Sequence, residues 1–219
     1  MLLKVKKLKK EARDAFSIIF ERPKKLDYYP GQYLTIKYQK IQREFTIASS
    51  PTENFLMITT RAGLSPLKKF LANLKPEDKL ESDHPAGTYT LDTSSPSVII
   101  AGGIGVTPAR SMIKYALDQR LKIPITLIYS NSNENFIFKK ELDLWQKQYP
   151  KLTIHYVITS KNGRLHENDL KKTLNTKYLI LNTVFYLAGP PSMVDDFENI
   201  LLKLGVDSVN IRTDRFDGY

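Results

Sequence analysis

Through the first ninety residues the apolar positions come in short, β-rich runs broken by Pro, Gly, Asn and charged clusters. Phe16–Phe20, Tyr33–Tyr38, Phe45–Ala48 and Phe55–Thr60 read as strands. One helical pattern interrupts them. Ser65 and Pro66 cap and start it, and Leu67, Phe70, Leu71 and Leu74 then fall on one face. Strand pattern resumes at Lys79–Glu81 and at Thr88–Leu91. Short strands this closely spaced predict a small antiparallel barrel rather than an open sheet.

After the turn-rich Asp92-Thr93-Ser94-Ser95-Pro96 the pattern changes to strand–helix alternation. Strands are expected at 97–101, 124–130, 152–158, 183–188 and 207–212, with helices near 109–120, 138–149, 167–175 and 192–204. A helix in each interval predicts a parallel, doubly wound sheet. The fold expected is therefore a β barrel plus α/β: an antiparallel barrel domain over 1–94 and an α/β domain over 95–219. Ligands of such sheets bind beyond the carboxyl ends of the strands. Two ends stand out, the turn at 102–105 and Ala188-Gly189-Pro190-Pro191.

The stretch from Ser97 to Pro108 organises the second half. A buried-strand run ends in Gly102-Gly103-Ile104-Gly105, and Thr107 and Pro108 read as the N-cap and first residue of the next helix. Strand, glycine turn and helix N-terminus form a site for a phosphate. The spacing is not the G-x-G-x-x-G dinucleotide pattern, and a plain strand-to-helix turn explains it equally well.

Composition narrows the chemistry. Hydrophobic residues make up 42% of the 219-residue chain and charged residues 26%, as in a globular protein. With no cysteine, disulfides, thiolate metal or iron–sulfur sites and a thiol nucleophile are all excluded. His84, His155 and His166 are scattered and make no ligand pair, so no metal is expected. No serine sits in a G-x-S-x-G elbow. No apolar run reaches the ~20 residues of a membrane span, and Met1–Lys7 lacks a signal-peptide core. A cytoplasmic location is expected from these absences. The net charge is +10, of which residues 1–45 carry +7 (twelve Lys and Arg against five acids). A basic end suits an acidic protein, anionic lipid or nucleic acid, or is simply a solvated face. No nucleic-acid-binding motif accompanies the charge.

Arg43-Glu44-Phe45-Thr46 lies on a predicted strand, so Arg43 and Phe45 share a face. That suits a ligand anionic at one end and aromatic at the other, although a surface arginine beside a core phenylalanine explains the stretch more simply. Pro30-Gly31-Gln32-Tyr33, Arg43-x-Phe45-Thr46, Gly63-x-Ser65, Gly102-Gly103-x-Gly105-x-Thr107-Pro108 and Gly189-Pro190-Pro191 follow one another in a telling order. In order and spacing they resemble the ferredoxin–NADP reductase superfamily, over nearly the whole chain. The resemblance implies a flavin-binding barrel followed by a nicotinamide-nucleotide domain. By it, Arg43 holds the flavin pyrophosphate, Phe45 packs on the flavin, and Thr46 bonds its redox edge. Gly31, Gln32 and Tyr33 would lie near the same ligand. Gly63, Leu64 and Ser65 would meet the pyrophosphate, favouring FAD over FMN. Gly102, Gly103, Gly105, Thr107, Ala188, Gly189, Pro190 and Pro191 would shape the nucleotide site. A terminal aromatic, Phe216 or Tyr219, would cover the flavin, unless the end is frayed.

The resemblance thus implies a flavoprotein oxidoreductase passing hydride from NADH or NADPH to FAD and then electrons to a separate acceptor. An acidic carrier such as ferredoxin or flavodoxin is expected, steered by the basic end. Reduction of small acceptors (quinone, free flavin) is the alternative in the same fold. A non-catalytic electron-transfer subunit or a basic nucleic-acid-binding module are alternatives of other classes. Ala188 stands where the family often has cysteine. Hydride passes directly between two rings, so a slower enzyme rather than a dead one is expected. The loop Tyr129–Glu134 contains no cation for a 2′-phosphate, and Glu134 suits a free 2′-hydroxyl, which favours NADH.

Overall fold

The computed structural model describes residues 1–174 and 182–216. By chain contacts it divides into two compact units, one of residues 1–91 with 107–119 and one of 92–106 with 120–219.

The first unit is built on six antiparallel strands: β1 (Leu2–Ala12), β2 (Ala15–Glu21), β3 (Tyr33–Tyr38), β4 (Ile41–Thr46), β5 (Phe55–Arg61) and β6 (Lys79–Ser82). Their order is β4-β3-β6-β1-β2-β5, and a bridge between Ile47 and Ile58 joins the two ends into a barrel. Alternation along the strands sends Leu3, Val5, Ile18, Phe20, Leu34, Ile36, Leu56 and Ile58 into one core. Helix α1 (Pro66–Ala72) adds Leu67 and Leu71 to it. Ser65 caps α1 and Pro66 starts it, as expected.

One strand was unexpected in this unit and one expected strand is missing. The basic N-terminus, to which no strand was assigned, is the barrel strand β1, bonded to both β2 and β6. Leu3 and Val5 point inward while the intervening lysine points out. Conversely, Thr88–Leu91 forms no strand. Tyr89 and Leu91 are buried, and Leu91 N–H donates to Pro30 O at 3.2 Å outside any strand ladder.

The second unit holds β7 (Ser97–Gly102), β8 (Ile125–Asn131), β9 (Leu152–Ile158), β10 (Val184–Gly189) and β11 (Ile211–Arg215). All neighbours are parallel, in the order β11-β10-β7-β8-β9. The order reverses at β7, which makes the sheet doubly wound and puts its switch point between β7 and β10. The helices among the described residues are α2 (Val106–Asp118), α3 (Lys139–Gln148), α4 (Thr159–Asn162), α5 (Glu167–Leu174) and α6 (Pro191–Lys203). From Thr107 onward α2 groups with the barrel unit. Val98, Ile100, Phe185 and Leu187 form the sheet's contribution to a core that Val194, Phe197 and Leu201 of α6 complete.

Helix α2 begins earlier than expected. Gly103–Gly105 form a 3-10 turn and the helix starts at Val106, so Thr107 and Pro108 lie inside its first turn rather than capping it. Likewise residues 208–210 are a 3-10 turn, and the last strand starts only at Ile211.

Candidate functional site

In the barrel unit the hairpin of β3 and β4 carries the residues expected at the flavin. Before β3, Gly31 adopts φ +105°, and a Cβ there would stand 2.1 Å from the Tyr89 carbonyl oxygen and 2.6 Å from Met112 Cε. Only glycine fits. The Gln32 amide braces the turn, accepting from Tyr29 N–H at 2.9 Å and donating to Gly87 O at 3.2 Å. Tyr33 exchanges backbone bonds with Ala86, each 3.0 Å. Gln32 O also accepts from Ile47 N–H at 2.8 Å, which ties this turn to the end of β4.

On β4, Arg43 and Phe45 lie opposite Ile36 and Leu34 and so share a face. Phe45 is half-buried against the barrel core, whereas Arg43 is exposed and donates to Gln42 O at 2.8 Å. Thr46, opposite Tyr33, is 6% exposed. The chain leaving β5 runs antiparallel to β4, back in the direction of Arg43, and then reaches Gly63-Leu64-Ser65. Leu64 is 87% exposed. Ser65 Oγ accepts from Lys68 N–H at 3.3 Å, which leaves its hydroxyl proton available to a ligand oxygen.

In the sheet unit the two glycine elements meet. β7 and β10 are neighbours, with Ala101 opposite Ala188. A Cβ on Gly105 would stand 2.2 Å from Ala188 O, and one on Gly102 would stand 2.6 Å from Met193 Sδ. Gly189 has φ +153°, and its Cβ would come 3.1 Å from Gly102 Cα. Gly103 has φ +55°. Pro190 precedes α6 and Pro191 starts it. Thus Gly102, Gly103, Gly105, Ala188, Gly189, Pro190 and Pro191 stand together at the switch point. Thr107, buried, groups with the barrel unit instead. Phe216 is half-buried and donates its N–H to Gly189 O at 2.9 Å, which sets the tail beside the same element. Tyr219 lies outside the described residues.

Two features went unseen in the sequence. Glu134 is paired with Lys161 from α4, and the ammonium holds its carboxyl below the usual range. A cation therefore does accompany the β8 loop, supplied from 27 residues downstream. The other is a buried ion pair, Arg110 with Glu53, behind the β3–β4 hairpin. Arginine on the otherwise apolar face of α2, beside Val106, Ala109 and Ile113, was its only trace in the sequence. Near it, burial pushes the Tyr28 hydroxyl up to about 12, against the opposing bond from Ser49. No group of three or more metal-ligating side chains occurs among the described residues. No helix among them is long and apolar enough to cross a membrane.

Residues 1–107 match the FAD-binding domain family and residues 99–199 the oxidoreductase NAD-binding domain family. Flavohemoprotein A of Dictyostelium discoideum is 29% identical over 211 residues, covering 86% of this chain and 52% of that protein. A component of the Na(+)-translocating NADH-quinone reductase of Neisseria gonorrhoeae is 27% identical over 214 residues, covering 87% and 53%. The chain spans about half the length of these curated relatives. In fold it is similar to ferredoxin-NADP+ reductase from Plasmodium falciparum, with a TM-score of 0.82 at 20% identity over 98% of this chain and 95% of that one. The chain thus joins an FAD-binding domain family over its barrel to an oxidoreductase NAD-binding domain family over its parallel sheet, in the fold that the resemblance implied.

Proposed function

We propose that the chain takes hydride from NADH or NADPH onto FAD and passes the electrons to a separate acceptor. FAD supplies the change from two-electron acceptance to single-electron release. The observation that carries this reading is one chain holding both parts: the Arg43-x-Phe45-Thr46 hairpin and the paired glycine elements at the β7/β10 switch point. FAD is assigned to the domain of residues 1–94 and the nucleotide to that of 95–219. Arg43 binds pyrophosphate with its planar fork, and Gly63, Leu64 and Ser65 receive the same group. Gly31, Gln32 and Tyr33 line the site by way of their backbone. Phe45 packs on the ring, and Thr46 offers a hydroxyl to its redox edge. Gly102, Gly103, Gly105 and Thr107 approach the nucleotide phosphates. Ala188–Pro191 border the nicotinamide, with Phe216 or Tyr219 as the covering aromatic. The exposure of Arg43 and Leu64 supports the fit, since both present surface that the protein's own packing leaves to a ligand.

An acidic carrier protein is the acceptor we favour, and the protein is placed in the cytoplasm. Lys6, Lys7 and Lys10 of β1 are exposed, while Lys4 is spent on Glu21 and Glu77 and Lys9 on Glu11. Similarity to a component of a quinone reductase favours a second reading, reduction of a small acceptor. Steady-state rates of the FAD-loaded protein, with each nucleotide against ferredoxin, flavodoxin and a soluble quinone, decide between them. Turnover with carriers alone supports the first reading and turnover with quinone alone the second. Lys161 balances Glu134, so the same rates assign the nucleotide.

A further inference from the structure

Helix α2 places an arginine where it holds the far side of the proposed flavin hairpin. Arg110 is 3% exposed. Its Nη1 donates to Ala48 O at 2.8 Å and to Glu53 Oε2 at 2.9 Å, and its Nη2 to Glu53 Oε1 at 3.1 Å. Ser111 Oγ donates to Ser49 O at 2.7 Å. Met112 packs its methyl where a side chain on Gly31 would stand. Three consecutive residues of α2 therefore hold both turns that flank the β3–β4 hairpin, Gly31 before it and Ala48–Glu53 after it.

The loop they grip is fixed from its other side as well. Arg22 Nη1 donates to Pro51 O and Glu53 O, both at 2.8 Å, and Ser50 N–H donates to Glu53 Oε2 at 2.7 Å. Both carboxylate oxygens of Glu53 are thus engaged.

A buried ion pair is a poor way to gain stability, because desolvation offsets most of the attraction. A two-pronged guanidinium contact does fix orientation, which an apolar contact of equal volume does not. What it fixes here is Ala48, two residues beyond Thr46. We propose that Arg110, with Glu53 as its counter-ion, is a positioning residue for the flavin: it sets where β4 ends and hence where Phe45 and Thr46 meet the ring. The inference rests on the assignment of FAD to Arg43, Phe45 and Thr46.

The test uses the full FAD-loaded chain and three variants. These are the paired neutral replacement Arg110→Met with Glu53→Gln, Arg110→Lys alone, and Ile18→Ala in the barrel core as a stability control. Removing both charges leaves no lone buried ion, so the paired variant should melt within a few degrees of the parent. Its bound flavin should nevertheless show a shifted visible band. Its kcat should fall about tenfold or more, as misplaced reacting groups require, while the nucleotide KM stays within about twofold. Arg110→Lys should fall between. Ile18→Ala should melt earlier with flavin band and kcat unchanged.

An unshifted flavin band with parental kcat in the paired variant would overturn the proposal, as would a kcat that tracks melting temperature through all the variants. Should the paired variant not fold, Arg110→Lys decides by the same two readouts. Arg43→Ala run alongside separates the two levels of the claim. Full FAD retention there removes the flavin assignment itself, whatever the Arg110 variants do.

Discussion

Arg43 and Leu64 of the barrel unit stand in solvent, Leu64 at 87% exposure, whereas Gly105 of the sheet unit has no room for a methyl group beside the Ala188 carbonyl. The barrel presents side chains on a frame that is complete without them. Turns and caps of that frame use other atoms, such as the Gln32 amide and the Arg110 guanidinium. The sheet unit instead makes its site from backbone. Two strand ends approach so closely that Gly105 lies against the Ala188 carbonyl and Gly189 against Gly102. Substitution should therefore separate ligand binding from folding in the barrel and fail to separate them in the sheet.

The largest effect is expected at Gly105→Ala. Its methyl would stand 2.2 Å from Ala188 O, and a backbone atom cannot rotate away. Destabilisation of about 3 kcal/mol is expected, the upper range for overpacking, together with loss of nucleotide binding. Urea unfolding followed by nucleotide titration checks it. Parental stability would show that the strand ends yield, and the contrast would collapse.

Arg43→Ala tests the other side. Losing a charge-assisted phosphate bond should weaken FAD by about 1.5–3 kcal/mol, roughly ten- to a hundredfold, while the FAD-free protein melts as the parent does. Coincident loss of stability would place Arg43 in the frame rather than on it.

Tyr28 probes the frame through pH. Its folded pKa, pushed up to about 12 from an ordinary 10, favours the neutral hydroxyl in the native state. Its contribution is therefore whole below pH 10 and lost as pH rises through 12. The unfolding free energy should fall about 2 kcal/mol more between pH 10 and 12 in the parent than in Tyr28→Phe. Parallel pH curves for the two proteins would contradict this.

The smallest effect concerns the outer face of β1. Changing Lys6, Lys7 and Lys10 together to Glu should slow association with an acidic carrier by about tenfold at low salt. The difference should vanish at high ionic strength, where exposed charges are screened within a few ångströms. Stopped-flow rates across a salt series measure it, and salt-independent rates would turn the acceptor assignment toward small molecules.

The parallel sheet was readable because its inner strands β7 and β10 are continuous buried runs between helices. Residues 152–158 form β9 as expected, and Tyr33–Tyr38 form β3. β1 was hidden because its five lysines mask an inward pair, Leu3 and Val5, and a register shift between Val5 and Lys7 then breaks the alternation. Tyr89 and Leu91 suggested a strand, yet the Tyr89 carbonyl lies against the Gly31 turn and Leu91 N–H bonds to Pro30 O outside any ladder. The motif residues of the sheet were visible as glycines and prolines, whose backbone demands are written into their identity. Glu53 with Arg110 and Glu134 with Lys161 were not, since each pair joins residues far apart in the chain whose meeting depends on tertiary structure.

Hydride transfer from a nicotinamide nucleotide to FAD held by this chain underlies every role assigned above. Anaerobic mixing of the FAD-loaded protein with NADH, and separately with NADPH, tests it with no acceptor present. Loss of the flavin's visible absorbance, saturating with nucleotide, is the predicted result. FAD that remains bound and oxidised through an excess of both nucleotides would contradict it.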